Sequence, residues 1–183
     1  MLPRQNTPPP RWLLYAFCGV ILVFLGGAVF KWYWFEGRPG SCRIVSESQC
    51  GGGRLVSSEG QLIGIGFSLP VGSVLYAPFD GEWTTMGRAR LEGRAYAAAS
   101  LDITAPGDTV PRMVGVIGSL TDTAPSGGRL RRGATLGRTS AETVATPGGA
   151  YTVILSLSAF DPSLRYFVPT RESIATLFPH VQE

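Results

Sequence analysis

The hydrophobic pattern of this chain begins with one unbroken apolar stretch, which runs from Trp12 to Phe30. Its nineteen residues carry no charge, and Arg11 and Lys31 bound it. As a helix it would measure roughly 28 Å, about the thickness of the hydrocarbon core of a bilayer. Aromatic residues follow at 32–34, where amphipathic rings settle at the headgroup level. We therefore predict a transmembrane helix with an aromatic flank over residues 12–34.

The sequence on either side of this stretch bears on its topology. Residues 1–11 contain a run of three prolines, which predicts a disordered, extended tail. The numbers of Lys and Arg residues on the two sides of the predicted helix are nearly equal, so the charge distribution does not set its orientation. Because the tail is short and a whole domain follows the helix, we expect a cytosolic amino terminus and an extracytoplasmic carboxy-terminal domain. Small residues at 26–28 also allow a cleaved secretory signal, but the apolar run beyond them favours an uncleaved signal anchor.

The pattern changes twice after the helix. Residues 35–60 are rich in glycine and serine and poor in apolar side chains, which predicts a stalk that cannot fold alone. Residues 61–168 carry short apolar runs separated by glycine and proline, which is typical of β-structure with many turns. The predicted strands are 61–69, 74–76, 82–86, 96–103, 113–120, 134–139 and 151–157. Residues 169–183 are predicted as a short helix and tail, with Thr170 capping a helix from Arg171 to Leu177.

Charge narrows the possible partners. The net charge is +3, which is below the density expected of a nucleic-acid binder but allows attraction to membrane lipid or an anionic cell-wall polymer. The densest basic cluster is Arg129, Arg131 and Arg132, with Arg138 close behind. Arginine suits bidentate contact with carboxylate or phosphate. These four residues are a possible patch for an anionic ligand or partner, and a solvated loop is the alternative.

The three cysteines have different surroundings. Cys18 lies in the apolar stretch and is most simply a small hydrophobic side chain. Cys42 and Cys50 flank a polar loop, and they could pair in an oxidising compartment. Two free thiols in a linker are the alternative. A zinc site is not expected here, because no third or fourth ligand stands near.

Three segments resemble, in order and spacing, the LytM/lysostaphin-type peptidases of the M23 family. Residues 74–83 (VLYAPFDGEW) are similar to the opening strand and turn of that family, and residues 132–139 (RGATLGRT) to its Gly-x-x-Ile-Gly step. Residues 148–155 (GGAYTVIL), followed by Asp161-Pro162, resemble its last long strand. The resemblance covers roughly residues 70–165 and implies a small β-sandwich. The same pattern resembles barrel-sandwich hybrids of the biotinyl/lipoyl and membrane-fusion-protein type, so the expected fold class is mainly β in either form.

The chain departs from both families at their chemistry. The M23 peptidases hold zinc with an early His-x-x-x-Asp and a late His-x-His, but the only histidine here is His180. Residues 150–153, where the late motif should stand, read Ala-Tyr-Thr-Val. A domain of the lipoyl type needs a lysine to acylate, but the matching region has none, because Lys31 is the only lysine in the chain. We therefore expect no catalytic residues, no metal and no cofactor.

Three other kinds of site receive little support. His180 is the only possible base of a Ser-His-Asp triad, and it lies in the predicted tail. The glycines at 51–53 precede Arg54 without the Gly-Lys-Ser/Thr of a phosphate loop, so a flexible linker is the better interpretation. Asp80 and Glu82 could form the acid pair of a glycosidase, although adjacent acids on a turn are usually solvated.

The sequence thus predicts a single-pass membrane protein of the cell envelope whose β domain is a catalytically inactive, M23-like pseudoenzyme. It would act as a binding, scaffolding or regulatory module on a protein partner. Two alternatives remain. One is an accessory subunit of a larger membrane complex that docks through its helix, which has small residues but no GxxxG spacing. The other is an envelope hydrolase, a peptidoglycan peptidase or glycosidase, that uses carboxylates or another metal site.

Overall fold

A computed structural model describes residues 42–164 and 166–178 of the chain. The predicted tail and transmembrane helix, residues 1–34, lie outside the described residues. Within the described part, no helix has both the length and the apolar character that a membrane span requires.

The described chain is built mainly from β-strands. A 3-10 helix at Glu47–Gly52 comes first and a short α-helix, α1, closes the described part at Arg171–Leu177. The thirteen strands between them are β1 Arg54–Ser58, β2 Gln61–Phe67, β3 Val74–Tyr76, β4 Gly81–Leu91, β5 Arg94–Asp102, β6 Arg112–Ile117, β7 Leu120–Thr121, β8 Gly128–Leu130, β9 Thr135–Thr139, β10 Val144–Thr146, β11 Gly149–Tyr151, β12 Val153–Asp161 and β13 Tyr166–Pro169. This agrees with the mainly β class that the sequence predicts.

One large antiparallel sheet dominates the fold. Its strand order is β1-β2-β12-β6-β5-β4-β8, and β13 pairs with the far half of β12. Strand β12 therefore runs through the middle of the sheet, between β2 and β6. Strands β4 and β5 form a long hairpin, which carries a bulge between Thr85 and Gly87. Two smaller sheets, β3-β9-β7 and the hairpin β10-β11, complete the set.

The large sheet and the three-stranded sheet share one hydrophobic core. Trp83, Leu101 and Leu155 come from the large sheet, whereas Leu75 and Leu136 come from the small one, and all five are fully buried. Helix α1 adds three more buried side chains, Ile174, Leu177 and Phe178. The two sheets and the helix therefore contribute to one common core.

Helix α1 begins where its capping residue predicts. The Ser173 N–H donates a hydrogen bond to the Thr170 hydroxyl at 3.1 Å. In return, the Thr170 N–H donates to the Ser173 hydroxyl at 3.0 Å. This reciprocal arrangement satisfies amide groups that the first turn of a helix otherwise leaves unpaired. Because its buried face enters the core, the helix is part of the domain rather than of a separate tail.

The predicted stalk is wrong for residues 42–58. Ile44 and Val45 are fully buried in the shared core, and the Tyr76 N–H donates to the Ile44 carbonyl at 2.8 Å. Cys42 and Cys50 are joined by a disulfide whose two sulfur atoms lie inside the same core. This segment has few apolar residues, but all of them except the partly buried Leu55 are buried. The folded domain therefore begins before residue 61.

Candidate functional site

The alternation of side chains along the large sheet separates an inner face from an outer face. On β6, Val114 and Val116 point into the shared core, so Met113, Gly115 and Ile117 belong to the outer face. The register carries this division to the neighbouring strands, because Gly115 pairs with Ser100 on β5 and with Ser156 on β12. The outer face is thus formed by every second residue of five adjacent strands.

A groove of about 320 Å³ lies on the outer face. Its floor is made of small residues and its sides of larger apolar ones; among them are Met86, Ala98, Gly115, Ser156, Phe167 and Pro169. Met86 is 57 % exposed, which is high for a large apolar side chain. The lining contains no His, Cys, Asp or Glu, and its one charged residue is Arg88. The groove can therefore hold an apolar segment but offers no ligands for a metal.

The depth of the groove depends on the small side chains at its floor. A β-carbon at Gly115 would lie 2.7 Å from the Ser156 Oγ, closer than real β-carbons approach other atoms. The next residues on the same face are Ala98 of β5 and Ile117 of β6, which pair with each other. Larger side chains on β5, β6 and β12 would fill the space that the groove leaves open.

One end of the outer face closes on a hydrophobic cluster. Val56, Leu91, Val144, Tyr151 and Ile154 are each at most 8 % exposed and pack together, with Ile63, Tyr96 and Ile117 against them. Its five buried residues come from β1, β4, β10, β11 and β12, and together they bury one end of the outer face. The groove therefore occupies only the part of the face that this cluster leaves open.

Tyr151 of this cluster belongs to residues 150–153, the segment in which the M23 resemblance would place the late zinc motif. Tyr151 is 6 % exposed, and its ring lies against Gly66 of β2. The Thr152 hydroxyl binds the backbone of Leu69, as a donor to its carbonyl at 2.9 Å and as the acceptor of its N–H at 3.1 Å. Across residues 42–164 and 166–178, no three His, Cys, Asp or Glu side chains gather as a metal site would require. The segment contributes apolar packing and backbone contacts.

A second cavity, of about 600 Å³, lies at the first residues of β4, and five charged side chains line it. Glu82 pairs in register with Arg129 of β8 on one side and with Asp102 of β5 on the other. Asp80 and Arg131 also line this cavity. The structure thus brings the candidate acids Asp80 and Glu82 to one open cavity, together with two of the candidate arginines.

The four arginines of the predicted patch are divided between two places. Arg129 and Arg131 line the charged cavity, and the backbone N–H of Arg132 donates to the Asp80 carboxylate at 2.7 Å. Arg138 lies on β9 of the small sheet, where its guanidinium donates to the Gly72 carbonyl at 3.1 Å. Its Nε also lies 3.8 Å from the Asp122 carboxylate. The contacts of Arg138 are therefore made with the small sheet rather than with the charged cavity.

Two aspartates of the described chain have a lowered pKa, and neither lines the groove. A hydrogen bond from the Arg112 guanidinium, 2.9 Å long, is the main cause that lowers the pKa of Asp108. The Ser163 hydroxyl, at 2.6 Å, is the main cause that lowers the pKa of Asp161, and the Ser163 N–H adds to it at 2.8 Å. Asp108 is exposed and Asp161 is partly buried, and both carboxylates organise turns next to strands.

Sequence reasoning missed the groove because its residues carry no local signal. Its floor combines alanine and glycine from the consecutive strands β5 and β6 with serine from β12, which lies far from them in the chain. Each of these residues is ordinary where it stands. Only the pairing of β5, β6 and β12 places them side by side, and nothing in a single sequence gives that register.

Comparison with known proteins gives matches in structure only. No protein-family model matches the chain, and no protein of curated function matches it. The fold is similar to a crystal structure described as a peptidase M23 from Pseudomonas aeruginosa, with a TM-score of 0.46 and 19% identity over 78% of this chain and 53% of that one. It is also similar to the solution structure of lysostaphin, with a TM-score of 0.44 and 14% identity over 67% of this chain and 50% of that one. This chain spans about half the length of either protein.

Proposed function

We propose that this protein is a membrane-anchored module of the cell envelope that binds a polypeptide partner and has no catalytic activity. In this proposal residues 12–34 are the anchor, and the β domain is a degenerate relative of the M23 peptidases. The family assignment rests on the three sequence segments between residues 74 and 162. The anchor rests on the length and apolar character of the first hydrophobic stretch.

The observation that carries the proposal is the composition of the outer groove. A hydrolytic site needs a nucleophile with its base, a pair of carboxylates across a cleft, or a metal with an open position. The lining of the groove supplies small, aliphatic, aromatic and thioether side chains and one arginine. Such a lining suits the apolar side chains of an extended peptide, and methionines such as Met86 adapt to different partners.

The charged cavity does not favour the hydrolase alternative. Asp80 accepts the Arg132 N–H, and Glu82 lies between Arg129 and Asp102 in the register of the sheet. The acids therefore lie on a turn and an exposed strand end, with Arg129 on one side of Glu82 and a second acid, Asp102, on the other. A general acid is usually set in an apolar pocket, whereas five charged side chains line this cavity.

The test of inactivity uses the full chain in detergent, supplied with zinc. The protein is incubated with purified cell-wall peptidoglycan and with its soluble stem peptides, and the products are separated by chromatography. We expect no new amino termini and no new reducing ends, and less than one zinc ion retained per chain after dialysis. Products that disappear when a chelator is added would establish a metallopeptidase. Products that persist with the chelator and are lost in Glu82→Gln would establish a carboxylate hydrolase.

The test of the anchor is separate from the test of the groove. Cell membranes are washed with alkaline carbonate, which removes peripheral proteins but leaves spanning ones. We expect the chain to stay in the membrane pellet at its full length, and a tag at its carboxy terminus to be accessible from outside the cytosol. Release of a shortened chain into the soluble fraction would establish a cleaved signal peptide instead.

A further inference from the structure

The long hairpin of β4 and β5 has an edge that other described strands leave open. Strand β8 pairs with β4 only at residues 81–83, and within the described residues no strand pairs with β4 beyond Trp83 on that side. The loop that precedes β8 in the chain makes one further contact with this edge, since the Thr85 N–H donates to the Ser126 hydroxyl at 3.1 Å. From Met86 to Arg90 no described strand pairs with this side of β4, whereas Leu91 is buried against Val56 of β1.

The backbone of this edge points outward at Arg88 and Arg90. In an antiparallel ladder, consecutive residues direct their N–H and C=O groups to opposite sides of the strand. The Ala97 carbonyl accepts the Gly118 N–H at 2.9 Å, so Ala97 faces β6 rather than β4. Arg88 pairs with Ala97, and Arg90 with Ala95 two residues away. The N–H and C=O groups of both arginines are therefore available to a strand arriving at the edge.

The side chains of this edge have a simple charge pattern. Arg88 and Arg90 are both exposed on one face, and the residues opposite them, Ala95 and Ala97, are small and exposed. Among the described residues, neither arginine forms an ion pair. The residue between them, Ala89, belongs to the other face, where it lines the groove together with Met86. The edge thus carries two arginines on one face and Ala89 and Met86 on the other, and Arg88 also borders the groove.

From this arrangement we propose that the partner binds as an added β-strand along the open edge of β4, with acidic residues at alternate positions and apolar residues between them. The acids lie opposite Arg88 and Arg90, and the apolar residues turn toward the groove beside Met86. The inference rests on the proposed binding function and specifies the chemistry of the partner. Main-chain hydrogen bonds supply affinity in such complexes, and the alternate side chains supply specificity.

The same pattern argues against pairing with a second copy of this chain. An antiparallel pair of two β4 edges centred on this segment would set arginines of one copy near arginines of the other. Like charges opposite each other destabilise strand pairs, and charged edge strands commonly prevent self-association. An acidic strand replaces that repulsion by attraction.

The test uses a synthetic peptide of alternating glutamate and valine with blocked ends. Its control has the same composition with the glutamates in one block. Binding to the full chain in detergent is measured by titration calorimetry, and amide hydrogen exchange is followed by NMR. We expect the alternating peptide to bind at least tenfold more tightly than the block peptide and to protect the amides of Arg88 and Arg90. Equal binding of the two peptides, or exchange unchanged at both amides, would overturn the inference.

Charge reversal tests whether Arg88 and Arg90 recognise the acidic residues of the partner. The double variant Arg88→Glu/Arg90→Glu is expected to lose the glutamate peptide and to bind a matching lysine-valine peptide. Its control is Arg54→Glu/Arg132→Glu, which makes the same change in net charge at exposed arginines away from the open edge and should keep the preference for glutamate. If both double variants lose the glutamate peptide equally, net charge rather than the edge governs binding, and the inference fails.

A backbone variant separates strand addition from simple charge attraction. Arg90→Pro removes one N–H that points to the open edge, a position at which strands tolerate proline. We expect at least a tenfold weaker affinity for the alternating peptide with an unchanged melting temperature. Polyphosphate serves as a comparison: equally tight binding of polyphosphate, insensitive to Arg90→Pro, would show a surface for anionic polymers. If polyphosphate binds in this way but a photoreactive side chain placed in the groove still captures a polypeptide, the binding function stands and only the added strand is rejected.

Discussion

Gly66 of β2 lies directly beneath the ring of Tyr151, the last residue of β11. A β-carbon at residue 66 would lie 2.5 Å from the ring, a distance that real β-carbons essentially never show. The tight contact fixes the small hydrophobic cluster at one end of the outer face.

This contact predicts that Gly66→Ala destabilises the domain. The added methyl group must displace the ring of Tyr151 within a packed cluster, and overpacking of this kind costs about 1–3 kcal/mol. Gly148→Ala is the matched control, because a β-carbon there would lie 3.7 Å from the Tyr151 hydroxyl in ordinary contact. Urea unfolding should show a clear loss for the first variant and little change for the second. Equal stability of the two would contradict the packing described.

The groove predicts a variant that blocks binding without harming the fold. Ser156→Trp places a large ring on the groove floor, so partner binding should fall at least tenfold while the melting temperature changes little. Ala141→Trp, on an exposed loop between β9 and β10, is the control for an added surface tryptophan. Retention of partner binding in the Ser156 variant would exclude the groove as the binding site.

The disulfide predicts that the segment before β1 depends on an oxidised environment. Cys42 and Cys50 close a short loop, and loop-closure entropy for a loop of this size corresponds to roughly 2–3 kcal/mol. The double variant Cys42→Ser/Cys50→Ser should therefore unfold at lower urea concentration, and a reducing agent should have the same effect on the native chain only. A variant that matches the native chain in urea would show that Ile44 and Val45 hold the segment without the bridge.

Asp161 predicts a pH-dependent contribution to stability at the turn after β12. The lowered pKa means that the ionised carboxylate stabilises the fold, through its hydrogen bonds with Ser163 and Leu164. That contribution is fully present above the ordinary Asp pKa of about 3.9 and is lost as the pH falls through the lower folded value. Asp161→Asn should therefore be less stable than the native chain at pH 7, and the difference should shrink below about pH 4. A difference independent of pH would assign the effect to turn geometry alone.

Patterns within a few residues predicted the strands that contribute most to the core. The apolar alternation of Val153, Leu155 and Leu157 is a strong local signal, and these side chains are buried on one face of β12. The helix from Arg171 to Leu177 was equally visible, because capping chemistry is local in sequence.

Features that depend on pairing between distant segments were not predictable in this way. Strand β1 is short and mostly polar, and only its pairing with β2 makes it a strand. Ile44 and Val45 are buried because two sheets close over them, which no pattern near them indicates. The groove floor and the open edge of β4 follow from strand order, so the candidate site emerged only from the fold.

The most direct test of the account is site-specific photo-crosslinking in the cells that make the protein. A photoreactive phenylalanine replaces Met86 beside the groove in one variant and Ala141 in the other. We predict that the probe at 86 captures one defined polypeptide, that Ser156→Trp abolishes this product, and that the probe at 141 does not yield it. Identical products from both positions, or a product at 86 that Ser156→Trp leaves unchanged, would contradict a binding groove on the outer face.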